Sequence, residues 1–350
     1  MDWLDEDIDL EKKNKPKDQM YQTSIGFSKN SQTNNLFNDS NQKDLEDKLS
    51  QEQLKVNRLQ NELDRMKQIK ISNNSSKDSS KAFLNYIHEI NFNELNLGNK
   101  IGQGGFSEIF ESKWLNLNVA VKIIFDPNVT EKLLEEFYNE IEKLLILRHP
   151  NIIYLYWITP KNQKLFIITE LASKGSLFEY IHKTNNTREI PLRFKYNITR
   201  QLINVILFIH ECGYVHRDLK TQNLLLDNEN NLKLCDFGLT KKIDELNNGN
   251  MQYAGTPIYM APELYNKTGY NEKIDVFAFG TILWELFTQK IPFFNCDTNE
   301  IKNKICRGDM LPNHKSIPKK IEEIIHKCRA VDPNDRPSFK EINKIDFEIY

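Results

Sequence analysis

The chain has 350 residues, 39% of them hydrophobic, enough for one large two-lobed domain or two ordinary ones around a buried core. Its charged residues, 27% of the total, nearly cancel to a formal net charge of -2, so no global field points to nucleic acid or to an acidic membrane surface. The five cysteines, Cys212, Cys235, Cys296, Cys306 and Cys328, form no C-x-x-C pair, which argues against a zinc site or disulfide framework and for a reducing compartment.

The acidic start, Met1-Asp2-Trp3-Leu4, has the wrong charge for a signal peptide, and Asp2 excludes N-myristoylation. No apolar run approaches the roughly 18 residues of a membrane span. The expected location is the cytoplasm, with the nucleus left open. Residues 1–42 are rich in Asn, Asp, Lys, Ser and Gln and carry too few apolar groups to offset ordering entropy, so disorder is expected there.

From Leu45 the pattern changes. Leu45, Leu49, Glu52, Val56, Leu59, Leu63, Met66 and Lys70 recur at spacings of four and three, a heptad seam that marks 43–71 as a short candidate coiled coil. Glu52 and Lys70 interrupt it, so a homodimer through 45–70 and a solvated single helix both stay open. Residues 72–91 read as a linker, polar and without periodicity over Ser72–Lys81.

A folded domain is expected over 92–347. Short β-branched runs at Val119–Ile124 and Leu165–Thr169 flank a helical pattern over Glu131–Leu147, and helices dominate from about Ser176. The order predicts an α+β, bilobal fold: a small sheet-rich lobe over about 92–170 and a larger helical lobe over about 173–347.

Within the first lobe, Ile101-Gly102-Gln103-Gly104-Gly105-Phe106-Ser107-Glu108-Ile109 is a glycine-rich turn between strands, as needed where backbone approaches phosphate oxygens with no Cβ in the way. A dinucleotide fold would open a helix here, whereas Ile109-Phe110 continues as strand; a Walker loop fails for want of G-K-[S/T]. Next, Val119-Ala120-Val121-Lys122 alternates so that Ala120 and Lys122 share a face. A half-buried lysine needs a partner, and Glu140 on the following helix is the candidate.

His216-Arg217-Asp218-Leu219-Lys220-Thr221-Gln222-Asn223, Asp236-Phe237-Gly238 and Ala261-Pro262-Glu263 follow in order, and with them the domain resembles the protein kinase family. The resemblance implies ATP as cofactor with Mg2+, or Mn2+ in its place, and serine or threonine hydroxyls of proteins as acceptors. It implies that Asp218 orients the acceptor hydroxyl, Lys220 steadies the γ-phosphate, and Asn223 and Asp236 hold the metal. Lys122, fixed by Glu140, would contact the α- and β-phosphates. Adenine would lie against Ile101, Ile109, Ala120 and Leu225, with Thr169 as gatekeeper and Glu170-Leu171-Ala172 as hinge.

Lys220 and Gly255-Thr256-Pro257 resemble serine/threonine kinases. Trp114, His149-Pro-Asn-Ile-Ile153 and Asp275-Val-Phe-Ala-Phe-Gly280 resemble the tyrosine-kinase-like group, so dual specificity stays open. Arg217 would pair with an activation-loop phosphate, for which Tyr253 and Thr240 are candidates, or be satisfied by carboxylate or backbone. Glu263 and Arg336 resemble the family's buried ion pair, and Leu144, Leu155, His216 and Phe237 its inter-lobe stack. Cys235 reads as a reachable pocket thiol or a buried structural one. The competing functional class is a non-catalytic scaffold acting through the coiled coil, against which the intact set Lys122, Glu140, Asp218, Asn223 and Asp236 stands.

Overall fold

The computed structural model describes residues 95–103, 107–124, 131–161, 164–182, 189–246 and 255–346. The disorder, coiled coil and linker expected over 1–91 lie outside these, as do Gly104, Gly105, Phe106 and Tyr253.

Strands β1 (Leu95–Gln103), β2 (Ser107–Trp114), β3 (Leu117–Ile124), β4 (Leu155–Lys161) and β5 (Lys164–Glu170) form an antiparallel sheet in the order β1-β2-β3-β5-β4. Alternation along β3 puts Val119, Val121 and Ile123 in one apolar cluster with Leu95, Phe166 and Ile168, which leaves Ala120 and Lys122 on the opposite face. Irregularities in the β1–β2 register between Leu97 and Gly102 bend β1 as it enters the glycine-rich run. Helix α1 (Glu131–Ile146) buries Phe137, Ile141 and Leu144 at spacings of four and three, one helical stripe.

The remainder is mainly helical: α2 (Leu177–His182), α3 (Leu192–Glu211), α4 (Pro262–Asn266), α5 (Lys273–Thr288), α6 (Thr298–Arg307), α7 (Lys319–Cys328) and α8 (Phe339–Ile342). Two small antiparallel ribbons interrupt it, β6 (Tyr214–Val215) with β9 (Lys241–Lys242), and β7 (Leu224–Leu226) with β8 (Leu232–Leu234). Helix α5 is buried from Ile274 to Thr288, as its nearly all-round apolar sequence requires, and forms the central post of this lobe. An Asp297–Glu300 capping box starts α6, and Gly308 at φ 80° ends it where a Cβ would strike Val331.

One apolar cluster runs from Ile124, Phe137, Ile141 and Leu144 of the sheet lobe through Leu234 and Phe237 to α5, so the two lobes share a continuous core at their junction. The expected small sheet lobe followed by a helical lobe is what the chain forms.

Candidate active site

Lys122 projects from the inner face of β3 to α1, where its Nζ meets both carboxylate oxygens of Glu140 at 2.9 Å. Burial acts against the ammonium form, but Glu140 and then Asp236 outweigh it and hold the Lys122 pKa above the usual lysine value. The lysine therefore stands as a fixed cation at the junction of the lobes. The cross-strand pairs Ile109–Lys122 and Ala120–Thr169 place these four residues on one face of the sheet. Gly102 pairs with Ile109, and a Cβ there would press on that side chain at 3.3 Å. Gln103 pairs with Glu108, Ser107 opens β2 opposite Ile124, and Ile101 lies exposed within the register irregularity.

Below the sheet, Ala172 is buried and Leu225 on β7 bridges to Ser176. Glu170 is used more fully than its sequence suggests. Its N–H donates to the Tyr154 carbonyl at 2.9 Å, one carboxylate oxygen accepts from Tyr154 N–H at 2.7 Å, and the other pairs with Lys233 at 2.9 Å. The glutamate ties Tyr154, just before β4, to β8 across the hinge, and its amide is committed to the Tyr154 carbonyl. Nothing in the sequence marked Lys233, which is 63 residues away and of ordinary composition.

In the catalytic loop, a 3₁₀ turn at Thr221–Asn223 folds the chain back on Asp218. Lys220 Nζ lies 2.5 Å from Asp218 Oδ2, Asn223 Nδ2 donates to the Asp218 carbonyl at 2.8 Å and to Oδ2 at 3.2 Å, and Thr256 Oγ1 donates to Oδ1 at 3.4 Å. Both carboxylate oxygens are thus held by polar groups in a largely buried setting. With its amide nitrogen on Asp218, Asn223 has its amide oxygen left for a hard cation. Asp236 adopts φ 65°, a left-handed conformation uncommon outside glycine, immediately before Phe237 turns into the core. Among the described residues, no group of three or more His, Cys, Asp or Glu side chains is arranged to hold a metal ion by itself. One amide oxygen and one carboxylate fit a magnesium ion that takes its other ligands from phosphates and water.

The loop hangs from α5. Asp275 accepts from the N–H groups of His216 and Arg217 and from His210 Nε2, all at 2.9 Å. Burial pushes its carboxyl up, but the His210 hydrogen bond and charge, His216 and the Arg217 N–H bring it below the usual range. His216 is neutral in this setting: burial lowers its pKa against the pull of Asp275, Asp218 and Asp236, Nδ1 accepts from Asp218 N–H at 3.3 Å, and Nε2 donates to the Cys235 carbonyl at 3.3 Å. The His216 ring meets Phe237 edge-on at 5.1 Å, and Leu144 and Leu155 are buried in the same cluster as Phe237. The expected Glu263–Arg336 pair forms two bonds of 2.7 and 2.8 Å with both side chains buried.

The structure bears on three readings that the sequence left open. Thr240 is buried, with its hydroxyl directed at the His216 carbonyl at 3.5 Å, so this fold does not present it to a phosphorylating enzyme. Arg217, also buried, donates to the Leu239 carbonyl at 3.0 Å and lies over the Tyr270 ring at 5.4 Å, which favours the backbone-satisfied alternative. Cys235, half-buried, directs its thiol to the Asn223 carbonyl at 3.4 Å, and desolvation followed by the charge of Asp236 pushes its pKa well up, which favours the structural of the two readings.

A five-stranded lobe with a fixed lysine–glutamate pair, set on a helical lobe whose buried loop gathers aspartate, lysine and asparagine, defines a two-lobed phosphoryl-transfer domain. The family model described as the protein kinase domain matches residues 95–347. The chain belongs to the protein kinase family. It is 34% identical over 276 residues to the probable serine/threonine-protein kinase kinX of Dictyostelium discoideum, covering 77% of this chain and 25% of that protein. It is 34% identical to the probable serine/threonine-protein kinase SIS8 of Arabidopsis thaliana over 73% of this chain and 25% of that protein. To the serine/threonine-protein kinase CTR1 of Arabidopsis thaliana it is 33% identical, over 71% of this chain and 31% of that protein. The chain thus spans a quarter to a third of the length of these relatives. No described helix is long and apolar enough to cross a membrane.

Proposed function

We propose that the chain is a protein kinase of the tyrosine-kinase-like group that transfers the γ-phosphoryl group of ATP, with magnesium, to serine and threonine hydroxyls of proteins. The observation that carries this reading is the convergence on Asp218: Lys220 at 2.5 Å on one carboxylate oxygen and Thr256 at 3.4 Å on the other. An aspartate so held can accept a hydrogen bond from an incoming hydroxyl and orient it for in-line attack. Lys220 supplies a positive charge beside the transferred group, and Lys122, held by Glu140, binds the α- and β-phosphates. Asn223 and Asp236 would hold magnesium, which supplies charge neutralisation at the phosphate oxygens. Ile101, Ile109, Ala120 and Leu225 enclose adenine, Thr169 borders its pocket, and the Glu170 carbonyl and Ala172 N–H meet its edge. The glycine-rich run from Gly102 to Ser107 would supply backbone N–H groups to the phosphates.

Incubating the purified chain with labelled ATP, magnesium and a basic protein substrate tests the reading, beside Asp218→Asn and Lys122→Met. Incorporation in the wild type that vanishes with chelator and in both variants supports it; equal incorporation in all three overturns it. Acid hydrolysis of the product should yield phosphoserine and phosphothreonine, whereas substantial phosphotyrosine would make the enzyme dual-specific.

Self-association through 45–70 is a separate proposal, supported by the heptad seam alone. Sedimentation of the full chain beside Leu49→Asp/Leu63→Asp tests it, and a monomer in both cases would end it.

A further inference from the structure

Glu285 stands in α5 with its carboxylate wholly buried, and three side chains from three other segments converge on it. His182 Nε2 donates to Oε1 at 2.9 Å, Thr221 Oγ1 donates to the same oxygen at 3.0 Å, and the Tyr259 hydroxyl donates to Oε2 at 2.6 Å. With both hydroxyl protons committed to the carboxylate, the two hydroxyl oxygens approach to 3.0 Å. Burial and the facing carboxylate raise the Tyr259 pKa well above the ordinary phenol, which keeps it a donor.

The placement of these partners reaches beyond stability. Thr221 immediately follows Lys220 and opens the 3₁₀ turn that ends at Asn223. Tyr259 closes the 3₁₀ turn that starts at Pro257, next to Thr256. Each carboxylate oxygen of Glu285 therefore holds one of the two segments that meet at Asp218. The terminal torsion of a glutamate is only broadly fixed by the side chain itself, and rotation of the carboxylate would shift both segments together. His182 supplies the third constraint from outside those segments, at the end of α2, the helix that follows the hinge and begins beside the Ser176–Leu225 bridge. Its ring is itself held, 4.7 Å from Phe178.

We propose that His182 is a positioning residue for phosphoryl transfer: by fixing Oε1 of Glu285 it sets, through Thr221 and Tyr259, where Lys220 and Thr256 stand about Asp218. The inference rests on the kinase reading above. It relates α2, and through it the hinge side of the domain, to the geometry of the acceptor site.

The test compares steady-state kinetics of the full chain with His182→Leu, which keeps volume and removes the donor, and His182→Gln, which keeps an N–H at similar reach. The Leu variant should lower kcat about tenfold, the cost of a small misplacement of reacting groups, with the KM for ATP changed less than about twofold. The Gln variant should recover most of kcat. Should the Leu variant fail to fold, His182→Asn, whose shorter side chain withdraws the donor, takes its place in the comparison. Equal kcat in wild type and Leu variant overturns the inference alone, as does a Gln variant that loses kcat and melting temperature as much as Leu does, since packing would then explain the effect. An inactive wild type overturns the kinase reading and this inference with it.

Discussion

Lys122 and Glu140, 18 residues apart, meet with both carboxylate oxygens 2.9 Å from the ammonium, so that one strand and one helix are tied at the point where the lobes share their core. Neither residue is stable in a half-buried setting without the other. The pair therefore reports whether α1 is seated against the sheet. Replacing Lys122 by Met or Glu140 by Gln should lower phosphoryl transfer by about two orders of magnitude, the loss expected when one charge-stabilising group is withdrawn. Circular dichroism should stay that of a folded protein. Wild-type turnover by the Glu140→Gln variant would show that the pair does not matter to function.

Glu263 and Arg336 form a different kind of pair. Arg336 is enclosed completely and also donates to the carbonyls of Ala330, Val331 and Lys273, so its charge and hydrogen bonds are satisfied in place. Truncating Glu263 to Ala leaves a buried cation without its carboxylate, which should cost about 3–5 kcal/mol in urea unfolding. A loss below about 1 kcal/mol would mean that the pair is solvated in solution.

Asp275 has a carboxyl pKa that burial raises and the His210, His216 and Arg217 contacts bring down by more, leaving it below the unfolded value. A depressed carboxyl contributes stability that is fully present above the unfolded pKa of about 3.9 and disappears as pH falls through the lower folded value. The difference in unfolding free energy between wild type and Asp275→Asn should thus be constant from pH 7 to about pH 5 and shrink below about pH 4. Urea titrations at pH 7, 5 and 3.5 measure it, and a gap that widens in acid contradicts the assignment.

Cys235 should react slowly with alkylating reagents despite its place beside the metal-binding turn, because burial and Asp236 suppress its thiolate. At pH 8, iodoacetamide should label the exposed Cys212 at least about tenfold faster than Cys235, read by peptide mass spectrometry. Faster labelling of Cys235 would restore the pocket-thiol reading.

Much of the site was legible because its parts are contiguous. Asp218, Lys220, Thr221 and Asn223 fall within six residues, and a single turn brings the lysine and asparagine to the aspartate whatever the distant packing. Strand alternation assigned Ala120 and Lys122 to one face, as the pairs with Thr169 and Ile109 bear out. Thr240 and Arg217 were legible only as alternatives, since whether a loop residue faces solvent depends on what packs over it.

From its sequence alone, this chain determined the two-lobed order of elements and the identity of the groups around Asp218, because strand and helix periods and short turns are local properties of the backbone. Tertiary structure alone decided that Lys233 braces Glu170, that Asp275 carries the backbone of His216 and Arg217, and that His182 meets Glu285 across 103 residues. The physical reason is that a buried charge takes whichever partners the packed core brings within reach, and chain distance places no limit on which those are.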